Sequence, residues 1–152
     1  MRYKLIKKVK YFIPAIIWMI VIFLFSSQVG RESSKNNHFI VDVLNKLNIE
    51  VIKQSDYEFL NFLIRKTAHI TEYLILFMLL YYAFRKIKLK NEKIKVCIFT
   101  VLYACTDEFH QLFIHGRTGK ITDVFIDSIG IIIGIIIIYI FKYCKHLRKS
   151  RN

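Results

Sequence analysis

Residues 65–73 read Arg-Lys-Thr-Ala-His-Ile-Thr-Glu-Tyr and open an apolar run that continues to Phe84. A helix over that run is long enough to enter a bilayer, yet its first two turns carry Arg65, Lys66, His69 and Glu72. Arg65, His69 and Glu72 follow i, i+4, i+7 spacing, which sets them on one helical face. Ionisable groups at membrane depth are costly and point to function unless they pair with one another. The rest of the chain is constrained by what these groups meet.

Composition supports a membrane setting. The chain has 152 residues, 55% of them hydrophobic, and a net charge of +13. Its mean hydropathy is +0.37. High apolarity and high basicity in one small chain argue against an ordinary soluble domain. Nucleic-acid binding explains the charge but not the apolar runs, so no nucleic-acid partner is expected. A bacterial cytoplasmic-membrane protein explains both, because cytoplasmic flanks collect Lys and Arg.

The expected fold is all-α, with four transmembrane helices at about 11–28, 62–84, 96–114 and 121–143. The first span follows a basic start (Arg2, Lys4, Lys7, Lys8, Lys10) and has Pro14 near its head, where a helix tolerates proline. A cleaved signal peptide is the rival reading. The segment Phe25-Ser26-Ser27-Gln28-Val29-Gly30 lacks a good small-x-small cleavage site, so a retained helix is expected. In the connection 29–62, Phe39, Val43 and Leu47, with Ile40 and Leu44, predict a short amphipathic interfacial helix in the first extracytoplasmic loop. Ser55-Asp56-Tyr57-Glu58 fits a capping box that starts a helix running into the second span.

Charge sets the orientation. The N-terminal flank, residues 85–95 and the C-terminal tail carry 5, 6 and 5 Lys/Arg, and four spans put all three on one side. That side is expected to be cytoplasm, with both termini in it. Cys97, Cys105 and Cys144 have no CxxC or zinc-type spacing, so buried apolar cysteines without a disulfide are expected.

The unusual polar residues then share one depth. Glu72 lies seven residues inside Arg65, and Asp107 seven inside Ile114, roughly 10 Å in each case. Asp123 and Asp127 fall in the first two turns of the fourth span, and Ser26, Ser27 and Gln28 close the first. All lie in the outer half of the membrane, which implies a shared pocket open to the outside. Asp107 and Gln111 are i, i+4 with Glu108 about 100° round. Asp123, Asp127, Gly130 and Gly134 continue one face, and its Gly-x-x-x-Gly part predicts close helix packing.

At these residues the chain resembles the VanZ-like family of membrane proteins. The matching elements are Phe25-Ser26-Ser27-Gln28, then Arg65-Lys66-x-Ala68-His69-x-x-Glu72-Tyr73. Asp107-Glu108-x-x-Gln111-x-Phe113, Arg117 and Asp123-x-x-x-Asp127-x-x-Gly130 follow in order. The resemblance implies one VanZ-like membrane domain over 1–152, in a cell-envelope family named for a protein linked to teicoplanin resistance. It supplies no established reaction.

Two functions are open at this level. In the first, the pocket engages a lipid headgroup, a lipid-linked cell-wall precursor or a glycopeptide, with a contribution to glycopeptide resistance. Arg65, Lys66, Tyr73, Gln111, Arg117, Asp123, Asp127, Ser27 and Gln28 are the candidate binding residues. In the second, the chain is an intramembrane enzyme acting on a lipid-linked or phosphate-bearing envelope substrate. There Glu72, Asp107, Glu108 and His69 are the candidate acid/base groups, with Arg65 and Arg117 as anion clamps. A structural ion-pair network is the plain alternative to both. A divalent cation on the acid-rich set is conceivable but not favoured, and no cofactor is expected. Four spans with a one-sided polar cluster give no alternating path, which disfavours a transporter.

Overall fold

The computed structural model describes residues 8–28, 57–88, 90–117 and 119–150. These residues form four helices and no strand: α1 (Ile13–Ser26), α2 (Tyr57–Lys86), α3 (Glu92–Gln111) and α4 (Ile121–Ser150). The expected amphipathic helix over 39–47, and Ser55 and Asp56 of the capping box, lie outside the described residues. The all-helical expectation holds. Two helices, α2 over Phe59–Lys86 and α4 over Ile121–Lys149, are long and apolar enough to cross a membrane.

The other two expected spans are less complete. α1 is apolar but has 14 residues, about 21 Å of helix against a hydrocarbon core of about 30 Å. Pro14 sits in its first turn, as expected. α3 has 20 residues but carries Glu92, Lys93, Lys95, Asp107 and Glu108. It also stops three residues before the expected Ile114. The amides of Leu112, Phe113 and Ile114 turn back to the carbonyls of Phe109, His110 and Gln111, which ends the α-helical ladder in tighter turns. α4, by contrast, continues seven residues past the expected end at Tyr143, into the basic tail.

The bundle is apolar outside and polar inside at one end. Ile16, Ile17, Ile20 and Leu24 of α1 are exposed, as are Phe125, Ile132, Ile136 and Ile140 of α4. Asp107, Glu108, Gln111 and Asp127 are buried. That arrangement suits a hydrocarbon solvent and inverts the pattern of a water-soluble domain. The core proper runs through Ile22, Tyr73, Leu76, Phe77, Val96, Ala104 and Ile138.

The α2–α4 pair is the most extensive contact between helices. Gly130 and Gly134 make it. A Cβ on Gly130 would enter the Ile70 carbonyl and lie 2.8 Å from the Leu74 amide nitrogen, and one on Gly134 would strike the Phe77 ring. The small-residue stripe is therefore a seat for α2, as its spacing suggests. α1 is tied in by two long hydrogen bonds. Trp18 Nε1 donates to the Glu72 carbonyl at 2.9 Å, and the Tyr103 hydroxyl donates to the Met19 carbonyl at 2.6 Å. Cys97 is half-buried and Cys105 and Cys144 are exposed, so burial does not account for the latter pair. All three are free thiols.

A polar cluster at one end of the bundle

Polar residues from all four helices meet at the end where α1 and α3 finish and α2 and α4 begin. Lys66 and Asp123 form a direct ion pair, Nζ to Oδ1 at 2.6 Å, with side chains 10% and 17% exposed. Asp123 belongs to the first turn of α4, where the helix dipole also favours a carboxylate. His69 stands between two acids: Nδ1 is 3.7 Å from Glu72 and 3.8 Å from Asp127. Both distances exceed a hydrogen bond.

Asp107 lies across the cluster on α3. Its Oδ2 accepts from Gln111 Nε2 at 3.2 Å. The hydroxyls of Ser26 and Tyr73 lie beside this carboxyl, close enough to act on it as donors though outside strict hydrogen-bond geometry. Glu108 shares the Gln111 amide, its Oε1 accepting from Gln111 Nε2 at 3.4 Å. Its Oε2 accepts from the Lys120 amide at 3.0 Å, one residue before α4 begins. Gly119 allows this approach, because a Cβ there would run into the Glu108 carbonyl. Gly116, with φ of 76°, supplies the left-handed step of the same turn.

Arg117 takes a part that its position alone does not reveal. Its Nε donates to the Gln28 carbonyl at 2.9 Å and its Nη2 to the Phe25 carbonyl at 3.0 Å. The side chain thus ties down the carbonyls at the end of α1, that of Phe25 accepting from the Gln28 amide as well. Burial lowers its pKa from the ordinary arginine value, and Arg65 lowers it further. Asp107, Glu72 and Glu108 act in the opposite sense. Arg117 is held to α1 within electrostatic reach of three carboxyl groups.

The expected site residues sort as follows. Lys66, His69, Glu72, Tyr73, Asp107, Gln111, Asp123 and Asp127 come together, with Glu108 and Arg117 at the edge. Arg65 is half-buried close to Arg117 and His69. Ser27 turns aside, its hydroxyl donating to the Phe23 carbonyl one turn back. Gln28 enters through its backbone carbonyl. Gly119 is essential to the geometry, a residue that the sequence alone does not single out as part of the site. Among the described residues, no three His, Cys, Asp or Glu side chains are arranged to hold a metal ion.

Five buried polar atoms here lack a hydrogen-bond partner among the described residues: Ser26 Oγ, His69 Nδ1, Tyr73 OH, Asp107 Oδ1 and Asp127 Oδ2. Buried polar groups are nearly always satisfied, so such a concentration calls for a physical reason. Beside Glu108 a groove of about 420 Å³ runs between α3 and α4, walled by Cys105, Phe109, Leu112, Val124 and Phe125.

A helical bundle with an apolar shell and ionisable groups gathered inside one end is the build of a membrane protein. The chain belongs to the VanZ/LLP1 family, whose model matches residues 11–142. Membership fits a teicoplanin-resistance-associated envelope protein. No curated protein and no solved structure matches the chain.

Proposed function

We propose that the chain is a multi-pass protein of the bacterial cytoplasmic membrane whose polar cluster faces the outer side and engages a lipid headgroup, a lipid-linked cell-wall precursor or a glycopeptide. In this reading its envelope role includes a contribution to glycopeptide resistance. The observation that carries the reading is the gathering of buried polar groups from α1, α2, α3 and α4, five of whose atoms make no strict hydrogen bond among the described residues. A helix-locking network would use such atoms internally, whereas a binding centre holds them for a ligand. The apolar groove beside Glu108 favours the lipid-bearing ligands of the three, since it offers a path for a chain attached to a polar head.

Glu72→Gln and Asp107→Asn test this. Both keep shape and remove charge. Each is expected to abolish complementation of a deletion strain, scored by an envelope phenotype such as glycopeptide susceptibility, while the protein accumulates normally by membrane immunoblot. Full complementation by both variants at normal abundance sinks the proposal.

The second reading, an intramembrane enzyme on a lipid-linked or phosphate-bearing substrate, is favoured by one feature. His69 stands between the carboxyl groups of Glu72 and Asp127, a placement suited to proton transfer. Turnover of labelled lipid-linked envelope substrates by the purified protein, lost in His69→Gln, separates enzyme from binder.

Orientation belongs to the same proposal. The basic flank 85–95 and the basic end of α4 support a cytoplasmic position for that end. In a cysteine-free background, Asn45→Cys and Thr118→Cys should react with an impermeant thiol reagent on intact cells, and Lys90→Cys should not. Labelling at 90 reverses the topology.

A further inference from the structure

The opposite end of the bundle holds a second built feature. A groove of about 750 Å³ lies between the C-terminal parts of α2 and α4. Its rim carries Arg85, Lys142, Lys145 and Arg148, and no acidic residue lines it. None of the four is in an ion pair among the described residues. Elsewhere at this end Lys86 lies over the Tyr82 ring and Lys93 over Tyr139, so other cations nearby do have partners.

Phe141 stands next to Lys142 at the rim, while deeper in the walls change character to Met78 and Ile138. Tyr81 belongs to this level. It is 6% exposed, lines the groove, and its hydroxyl has no hydrogen-bond partner among the described residues. Tyr81 precedes Arg85 by one turn, and Ile138 precedes Lys142 by one turn, so on both helices the apolar level lies roughly 6 Å inside the basic level. A molecule that fills the groove must therefore present negative charge at the rim, a hydrogen-bonding oxygen about one turn deeper, and hydrocarbon below.

We propose that this groove is a binding site for an anionic phospholipid of the leaflet facing the basic end. The phosphate sits among Arg85, Lys142, Lys145 and Arg148. The Tyr81 hydroxyl donates to a glycerol-ester or headgroup oxygen, and an acyl chain passes Phe141 and lies along Met78 and Ile138. The volume falls in the ordinary range for small-ligand sites, about 300–1,000 Å³. Basic pockets between membrane helices on the cytoplasmic side suit such headgroups. The site is separate from the polar cluster at the other end and does not depend on the role proposed there.

The test is native mass spectrometry of the full chain in detergent, titrated separately with phosphatidylglycerol, phosphatidylcholine and inorganic phosphate. Phosphatidylglycerol should bind at least about tenfold more tightly than either of the others. The triple variant Lys142→Gln/Lys145→Gln/Arg148→Gln should lose about a hundredfold in that affinity, at about fivefold per charge. A control of equal charge loss off the groove, Lys88→Gln/Lys90→Gln/Lys95→Gln, should lose little. Tyr81→Phe should lose about fivefold, the worth of one hydrogen bond, and it decides the matter alone should the triple variant not fold. Equal binding of phosphatidylcholine, equal binding of inorganic phosphate, an equal loss in the control, or full affinity in Tyr81→Phe overturns the proposal.

Discussion

Gly130→Ala should destabilise the protein although it replaces glycine inside a helix with the best helix former. Intrinsic propensity favours the change by about 1 kcal/mol. The new Cβ, however, meets the Ile70 carbonyl and the Leu74 amide nitrogen, which are backbone atoms of α2. Backbone cannot step aside as a side chain can, so α2 and α4 must separate. Overpacking typically costs about 1–3 kcal/mol, and a rigid backbone neighbour puts this case at or above the upper end. The net loss, about 2 kcal/mol, corresponds to a fall of roughly 4–8 °C in detergent melting temperature for a chain of this size. Gly134→Ala meets the Phe77 ring instead, and rotation of that ring should leave a smaller fall. Bulk should reverse this tolerance, so Gly134→Leu is expected to disrupt folding where Ile133→Leu does not. Equal melting of Gly130→Ala and Ile133→Leu would remove the close α2–α4 seat from the account.

The same seat explains why the neighbours of Arg65 and Lys66 exchange importance between sequence and structure. Arg65, His69 and Glu72 form a helical stripe by spacing, and Lys66 stands about 100° from its start. Spacing ranks residues around a helix but does not say which direction faces the partner. Gly130 and Gly134 of α4 set that direction, because they admit Ile70, Leu74 and Phe77. Lys66 is one turn before Ile70 on the same side of α2, so it is delivered to Asp123. Arg65, half-buried, forms no such pair among the described residues and acts on Arg117 and His69 only through its charge.

The shared level of the polar groups was readable for a related reason: it depends only on each helix's own sequence. Charged residues at helix ends and acids one or two turns inside give a level for every segment, and the four levels coincide. Roles that depend on a second helix were not readable. Arg117 fits an anion clamp by charge alone, yet two of its N–H groups serve the carbonyls that end α1. Trp18 fits interfacial burial, yet its indole holds the Glu72 carbonyl. Glu108 fits an acid/base group, yet one of its oxygens accepts the Lys120 amide ahead of α4. In each case the sequence shows a donor or acceptor and the fold supplies a partner many residues away.

The Lys66–Asp123 pair offers the sharpest separation of architecture from function. Removing one member should be severe. Asp123→Leu leaves the Lys66 ammonium, 10% exposed, without its carboxylate at membrane depth. Breaking a buried pair in this way costs about 3–5 kcal/mol. Lys66→Met should be somewhat milder, because the first turn of α4 still stabilises the Asp123 carboxylate by about 0.3–1 kcal/mol. The double variant Lys66→Met/Asp123→Leu removes both charges and leaves apolar surface of similar volume, which is often near neutral for stability. Membrane immunoblots and detergent melting should therefore show two poorly accumulating single variants and a double variant close to the parent. Should the double variant be no better than Asp123→Leu, the two residues do not stabilise one another. Complementation then reads the function. A double variant that accumulates and restores the envelope phenotype makes the pair a structural clasp beside the cluster. One that accumulates without restoring it makes Lys66 and Asp123 part of the ligand site, together with Glu72 and Asp107.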